Sequence, residues 1–475
     1  MRFLGRKREL ATLRKVGQCR NGASLTVVYG RRRVGKTRLV EEAFKEGVLL
    51  TFEGVEGYTS QEQRTVFLSR LAQISGRTEY TLINNRKWTD VLTACVEYIA
   101  QTYGREPVTI LFDEFQWMAA GQKKLVSALK YVWDLHFKKR TNVHLVLCGS
   151  VGSFLVKKVL RSRALYGRVT AEINLQPLRL DEISDVFIPK RSFREIVELY
   201  MSIGGIPQYL EFVDPKISTR LNLERLCFSH DGYLVSEFER IFVSHFGHVP
   251  HYRTIVKHLA ERGYADRQQL LSACAIDSGG TLSTYLEDLE LAGFIERYAS
   301  IDRPEKVRNN RFRLRDHYID FFLRFIQPSL KKIRSTSTRA RFSTFVPDKR
   351  YTVWSGLAFE RLCRFHHELI AKALGFQSVD YECGSWYSSR GKHSAQVDLL
   401  FKRSDNVLTL CELKFRTNKI GCAVIDTVEK KIQQLAKLQK KTIEKVLISA
   451  SESTSDLVQE EYFNQILNLS DLFPK

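Results

Sequence analysis

Two groups of residues in this 475-residue chain have the types and spacing to act on phosphates. The first begins at Gly30-Arg-Arg-Arg-Val-Gly35-Lys36-Thr37. Paired glycines let a backbone curl until its N–H groups face one point, where a lysine and a hydroxyl can join them. The pattern predicts nucleotide binding, with Gly30 and Gly35 shaping the loop, Lys36 on the β- and γ-phosphates and Thr37 on Mg²⁺. Asp113-Glu114 supplies the acidic pair that hydrolysis requires: Asp113 to bind the metal through water, Glu114 to orient or deprotonate the attacking water. Ser150 is a candidate sensor of the γ-phosphate. Arg161, Arg163 and Arg168 are candidates to stabilise transition-state charge, in cis or from a neighbouring subunit. The second group is Glu360, Asp398, Glu412 and Lys414, with thirteen residues between Asp398 and a Glu-x-Lys triplet. Two carboxylates and a lysine on one face suit metal-assisted phosphodiester hydrolysis. In that reading Asp398 and Glu412 hold Mg²⁺, Lys414 positions or activates water, and Glu360 completes the site.

These residues need elements to place them. Leu25-Thr-Val-Val-Tyr29 is a β-type run that feeds the glycine loop, and Arg38-Leu-Val-Glu-Glu-Ala-Phe reads as the helix after it. Val108-Thr-Ile-Leu-Phe112 and Val143-His-Leu-Val-Leu-Cys148 are continuous apolar runs, the pattern of strands buried on both faces. Strands and helices alternating over residues 20–175 predict a parallel sheet with helices on both sides. Further on, Ala395-Gln-Val-Asp398-Leu-Leu-Phe401 and Val407-Leu-Thr-Leu-Cys-Glu412-Leu-Lys414-Phe flank a polar turn, which predicts a hairpin. A turn centred on Asp405 sets Asp398 opposite Glu412, and Lys414 falls on the same face two residues on. Glu360 sits on the amphipathic helix that begins near Trp354. The helix Val424–Leu438 carries Lys430, Lys431 and Lys437, either as phosphate contacts or as a solvated face.

Between these regions, residues 251–315 predict a winged helix. Helices over Tyr252–Glu261, Asp266–Ala275 and Thr281–Ala292 precede two β-runs, Phe294–Ala299 and Arg311–Leu314, around a basic loop with Arg303, Lys306 and Arg308. The third helix of such a module commonly enters the DNA major groove. Here Glu287, Asp288 and Glu290 lie mostly outside its core stripe of Leu282, Leu286 and Leu289, a poor match to phosphates. A regulatory or interdomain role is therefore expected of that helix, and the wing is the candidate DNA contact. The predicted organisation is an α/β multidomain chain. A P-loop ATPase domain with helical lid covers 1–230, a winged helix 231–330, a basic linker 331–350 and a nuclease-like α/β domain 351–475.

The net charge of +21 attracts polyanions, nucleic acid first among them. Residues 331–350 carry seven basic and one acidic side chain, suited to a solvated linker or to a phosphate backbone. Nine scattered cysteines, an odd total with no C-x-x-C pair, argue against a disulfide framework and a zinc site. No apolar run is long enough to span a membrane, and no signal core follows the basic N-terminus, so a cytoplasmic protein is expected.

Several pieces in order carry a resemblance: Phe3-Leu-Gly-Arg-Lys-Arg-Glu-Leu10, Phe112-Asp-Glu-Phe-Gln116, Leu165-Tyr-Gly-Arg168, Leu175-Gln-Pro-Leu178 and Gly204-Gly-Ile-Pro207. With the loop they resemble the AAA-like, STAND-group archaeal-type ATPases over roughly the first half of the chain. The resemblance implies ATP hydrolysis and a place beside adenine for Pro207. The C-terminal constellation resembles the PD-(D/E)xK, restriction-endonuclease-like fold, with Val397 where a proline is usual. The expectation is an ATP-driven switch, with ATP and Mg²⁺, relaying through a winged helix to a metal-dependent DNA nuclease. An adaptor that binds DNA through an inactive nuclease fold is the alternative. A translocase is a third reading; with one P-loop it would need a ring or an ATP-dependent homo-oligomer.

Overall fold

The computed structural model describes residues 3–18, 21–120, 124–150, 154–162, 165–188, 190–276, 279–302, 310–335, 341–387, 396–435 and 441–473. Arg163, Arg303, Lys306, Arg308, Ala395 and Lys437 lie outside the described residues. The chain forms two compact units, Met1–Pro177 with Glu287–Gly293, and Leu178–Leu286 with Phe294–Lys475.

The first unit is built on five strands: β1 (Ser24–Gly30), β2 (Val48–Glu53), β3 (Val108–Asp113), β4 (Val143–Gly149) and β5 (Ala171–Leu175). Their order is β2-β3-β4-β1-β5, and every pairing is parallel. Each apolar run splits its side chains between two cores, as the period of two requires. Leu25, Val27, Ile110, Phe112, Leu145 and Leu147 pack on one side with the helices Ser60–Ser75 and Trp88–Tyr103. Val28, Leu111, Val146 and Cys148 pack on the other with Leu13, Leu39 and Val40. Strand limits differ from the sequence expectation by one residue at an end.

The second unit opens with helices that include Leu180–Phe187, Phe193–Ile203, Thr219–Cys227 and Glu237–Phe246. The helices Pro250–Arg262, Arg267–Cys274 and Gly279–Leu291 follow, interleaved with a small antiparallel sheet. It contains β6 (Ala265–Asp266), β7 (Ile295–Tyr298) and β8 (Arg311–Leu314), in the order β6-β8-β7. Two-residue β6 has no periodicity to betray it in sequence. Asp266 then caps the next helix by a reciprocal pair with Gln269.

The basic stretch 331–350 differs from a solvated linker. Its described residues fall largely in the helices Leu330–Ser335, Phe342–Phe345 and the start of Asp348–Phe365. Ile333, Phe342, Phe345 and Val346 are buried, and Phe345 stacks on Phe228 at 5.1 Å between ring centroids. The aromatic residues in an otherwise basic segment anchor it. Among the described residues no helix is long and apolar enough to cross a membrane.

A second five-stranded sheet, β13-β12-β11-β10-β9, ends the chain. It comprises β9 (Tyr381–Tyr387), β10 (Gln396–Arg403), β11 (Val407–Lys414), β12 (Thr442–Ser449) and β13 (Gln465–Asn468). β10 is antiparallel to β9 and β11, and β11, β12 and β13 run parallel. The 18-residue helix Asp348–Phe365 packs its stripe of Trp354, Ala358, Phe359 and Leu362 inward. Its angle is pinned by buried Asp320, which accepts from Trp354 Nε1 at 2.7 Å and from Arg361 Nη1 at 3.0 Å. Asp320→Ala leaves the Trp354 indole N–H without its acceptor and the Arg361 guanidinium with no carboxylate, only the Leu314 carbonyl. We expect it to lower unfolding stability by about 3 kcal/mol in denaturant titration.

Candidate functional site

The glycine loop leaves β1 at Gly30, where φ is 153° and a Cβ would lie 2.4 Å from the Leu175 carbonyl oxygen; only glycine fits. Gly35, at φ 89°, turns the chain into the helix Lys36–Ala43, so the free N–H groups of that helix open onto the loop. Arg33 takes the left-handed region without being glycine, at φ 70°. Lys36 is buried at 6% exposure, and its ammonium donates to the carbonyls of Arg31 (2.9 Å) and Gly30 (3.3 Å). Burial holds its pKa below the ordinary lysine value, while the Glu114 and Asp113 carboxylates act the other way.

Thr37 Oγ1 donates to Asp113 Oδ2 at 2.6 Å, and the Glu114 N–H donates to Asp113 Oδ1 at 2.9 Å. A hydroxyl and a carboxylate in contact are the hard oxygen donors Mg²⁺ takes, so the residues present fit that ion. Glu114 sits in the left-handed region at φ 45°. Ser150 Oγ donates to its Oε1 at 3.0 Å, and Gln116 Nε2 donates to its Oε2. The sequence-derived set Gly30, Gly35, Lys36, Thr37, Asp113, Glu114 and Ser150 therefore gathers at one edge of the sheet. Ser150 reaches that edge as a partner of Glu114.

The arginines stand differently. Arg168 grips Asp134 with two nitrogens, at 2.7 and 2.9 Å, and Arg161 Nη1 lies 2.7 Å from Glu287. Each charge is balanced by a carboxylate in this conformation. Pro207 begins the helix Pro207–Glu211 in the second unit.

Two participants escaped the sequence reading. Glu53 pairs in register with Asp113, and its carboxyl is raised by burial, then by Asp113 and Glu114. Its signal was available, because β2 is an apolar run ending in an acid, as β3 is. Gln116 is buried and reaches back two residues to Glu114; nothing in its type or spacing announced that.

In the second unit the hairpin register pairs Leu399 with Cys411 and Lys402 with Leu408, which centres the turn on Asp405. The paired residues end at Leu399–Cys411, one position short of Asp398 and Glu412, and β10 is irregular against β9 between Val397 and Leu400. Glu412 is 3% exposed and salt-bridged on both oxygens, to Lys414 Nζ at 2.6 Å and to Lys431 Nζ at 2.7 Å. Burial alone would raise its pKa, but the two ammonium groups outweigh it and hold the carboxyl low. Glu360 belongs to the same cluster. Burial, then Asp398, pushes its carboxyl up to about 7, against Arg364 and Lys431. Arg364 stands 3.8 Å from Glu360 and 3.9 Å from Glu296, another link hidden from sequence. Asp398 Oδ1 accepts from Gln396 at 2.7 Å. The carboxylate oxygens are the donor type Mg²⁺ takes. As they stand, however, no group of three or more His, Cys, Asp or Glu among the described residues is arranged around a metal position. A cation on Glu412 has to displace a lysine.

The first of these sites, on its parallel sheet, defines a P-loop ATPase domain. Residues 3–213 match the family described as an ATPase domain predominantly from Archaea, and this region is an ATPase domain of that archaeal type. Over 421 residues, 88% of each chain, the protein is 26% identical to the uncharacterized protein MJECL04 of Methanocaldococcus jannaschii. Among solved structures it is similar to the Walker-type ATPase PABY2304 of Pyrococcus abyssi, at 19% identity and a TM-score of 0.49. That match covers 68% of this chain and 96% of the other. It is also similar to the ORC2 protein of Aeropyrum pernix in its ADPNP–ADP complexes, at 14% identity and a TM-score of 0.39, over 70% and 96% of the two chains.

Two variants separate the loop from the acidic pair. Lys36→Ala is expected to weaken ATP binding at least tenfold, read by titration with a fluorescent nucleotide. Glu114→Gln is expected to leave binding within a factor of about three and to lower kcat for ATP hydrolysis by about 10²–10⁴. Equal loss of binding in both variants would contradict the assigned division of labour.

Proposed function

We propose that the protein is an ATP-hydrolysing switch whose second unit acts on DNA through a PD-(D/E)xK-type nuclease site, with a winged helix between. The observation that carries it is the convergence of Glu360, Asp398, Glu412, Lys414 and Lys431. So many charges share a mostly buried patch only when they neutralise one another or serve a ligand. A mixed sheet with an antiparallel hairpin and parallel neighbours carries them, as the proposed fold requires. The winged-helix reading is supported by three helices and the antiparallel sheet β6-β8-β7. The net charge of +21 supports a polyanionic partner.

In this reading Lys36, Thr37 and Asp113 hold the nucleotide and its Mg²⁺, and Glu114, oriented by Ser150 and Gln116, takes a proton from water. At the second site Asp398 and Glu412 would hold Mg²⁺, which would supply Lewis-acid activation of a phosphodiester. Lys414 then positions the attacking water, and Glu360 closes the site from its helix.

One observation favours a second reading, an adaptor that holds DNA without cutting it. Both Glu412 oxygens already carry ammonium groups, so charge balance there needs no metal. Incubating the protein with several DNA forms, with and without Mg²⁺, Mn²⁺ and ATP, separates the two. The nuclease reading expects metal-dependent cleavage that falls at least about a hundredfold in Asp398→Ala and in Lys414→Ala. Cleavage indifferent to both substitutions would sink the assigned site, and binding without turnover in any metal selects the adaptor.

A further inference from the structure

The winged-helix reading leaves the route of DNA across that module open, because its third helix is poorly suited to phosphates. On that helix Leu282, Leu286 and Leu289 are buried. Glu287 and Asp288 are held by Lys157, at 3.1 and 3.0 Å. An open polar groove of about 690 Å³ instead runs between the first two helices, Pro250–Arg262 and Arg267–Cys274. Lys257, His258, Glu261 and Arg262 line one wall at helical spacing, and Gln269 and Ser272 line the other.

Arg253, on the same helix as Lys257, is held by Glu239 at 2.9 Å. The side chains of Lys257 and Arg262 make no hydrogen bond or ion pair with the described residues. His258 Nε2 is buried and likewise lacks a hydrogen-bond partner there. Two unpaired cations, with hydroxyl and amide groups facing them, are the donor set that contacts phosphate and sugar. Glu261 is the single acidic group on that wall and opposes an anion.

We propose that this groove, and not the third helix, carries the phosphate backbone of nucleic acid. The inference rests on the nucleic-acid-binding reading above and adds where the backbone runs. Each phosphate neutralised contributes about 0.9 to the slope of log affinity against log salt. Lys257 and Arg262 therefore account for a slope of about 1 to 2.

The test uses the full chain and a labelled DNA duplex, titrated at several salt concentrations, with a thermal melt confirming that each variant folds. Lys257→Gln with Arg262→Gln is expected to weaken binding about tenfold at 0.1 M salt and to flatten the slope by about 1 to 2. Glu261→Gln, which removes a repulsion, is expected to tighten binding a few-fold. A purely structural role does not produce opposite signs from neighbouring surface residues. Thr284→Glu, on the exposed face of the third helix, is expected to leave affinity unchanged. Unaltered affinity and slope in the Lys257/Arg262 variant, or a loss in Thr284→Glu as large, overturns this placement while binding itself stands. Absence of binding by the unmodified protein overturns the parent reading and this one together.

Discussion

The strands of the first sheet all run one way, and the ATP site depends on that. In a parallel sheet every strand releases the chain at the same edge. Gly30 of β1, Glu53 of β2, Asp113 of β3 and Gly149 of β4 are strand ends, and the order β2-β3-β4-β1-β5 lays them side by side. The Thr37–Asp113 hydrogen bond, spanning 76 positions of sequence, is the result. It exists because β4 separates β1 from β3 by a single strand's width on each side. Reversing one strand would carry its acid to the far edge and leave Thr37 without its carboxylate partner.

The two charged centres solve opposite problems. Around the glycine loop the Lys36 ammonium rests on carbonyls, neutral acceptors that a phosphate can outbid. The loop is thus ready for an anion. At the second centre the ammonium groups of Lys414 and Lys431 rest on a carboxylate, and Arg364 lies between two more. Removing one partner from a buried pair of this kind costs about 3–5 kcal/mol. The same pairing that makes the patch tolerable inside the protein sets the threshold that an incoming cation must exceed. Under the proposed function, that contest separates a site that cuts DNA from one that only holds it.

Much of this was legible in the chain because strong periodicity leaves few choices. Continuous runs such as Val108–Phe112 can be satisfied only between two apolar faces, and two β-runs around a short polar turn form the hairpin centred on Asp405. Long-range side-chain partners left no such trace. Lys431 reads as one lysine among several on a helix, yet it completes the Glu412 pair. Arg364 could be paired with Glu360 one helical turn back, but nothing local points to Glu296, which it also meets. The stretch 331–350 misled in the other direction. Its charge spoke for a linker, while Phe342 and Phe345 found an aromatic partner in Phe228, more than a hundred positions earlier.

By itself the sequence determined the phosphate loop, the acids that end the strands and the hairpin centred on Asp405. These follow from backbone stereochemistry and from a period of two, both of which are local. The tertiary structure alone decided which charges neutralise which. It gave Arg168 to Asp134, both Glu412 oxygens to lysines, and Glu114 to Ser150 and Gln116. Coulomb attraction at 3 Å depends on distance through space, and only folding brings those side chains together.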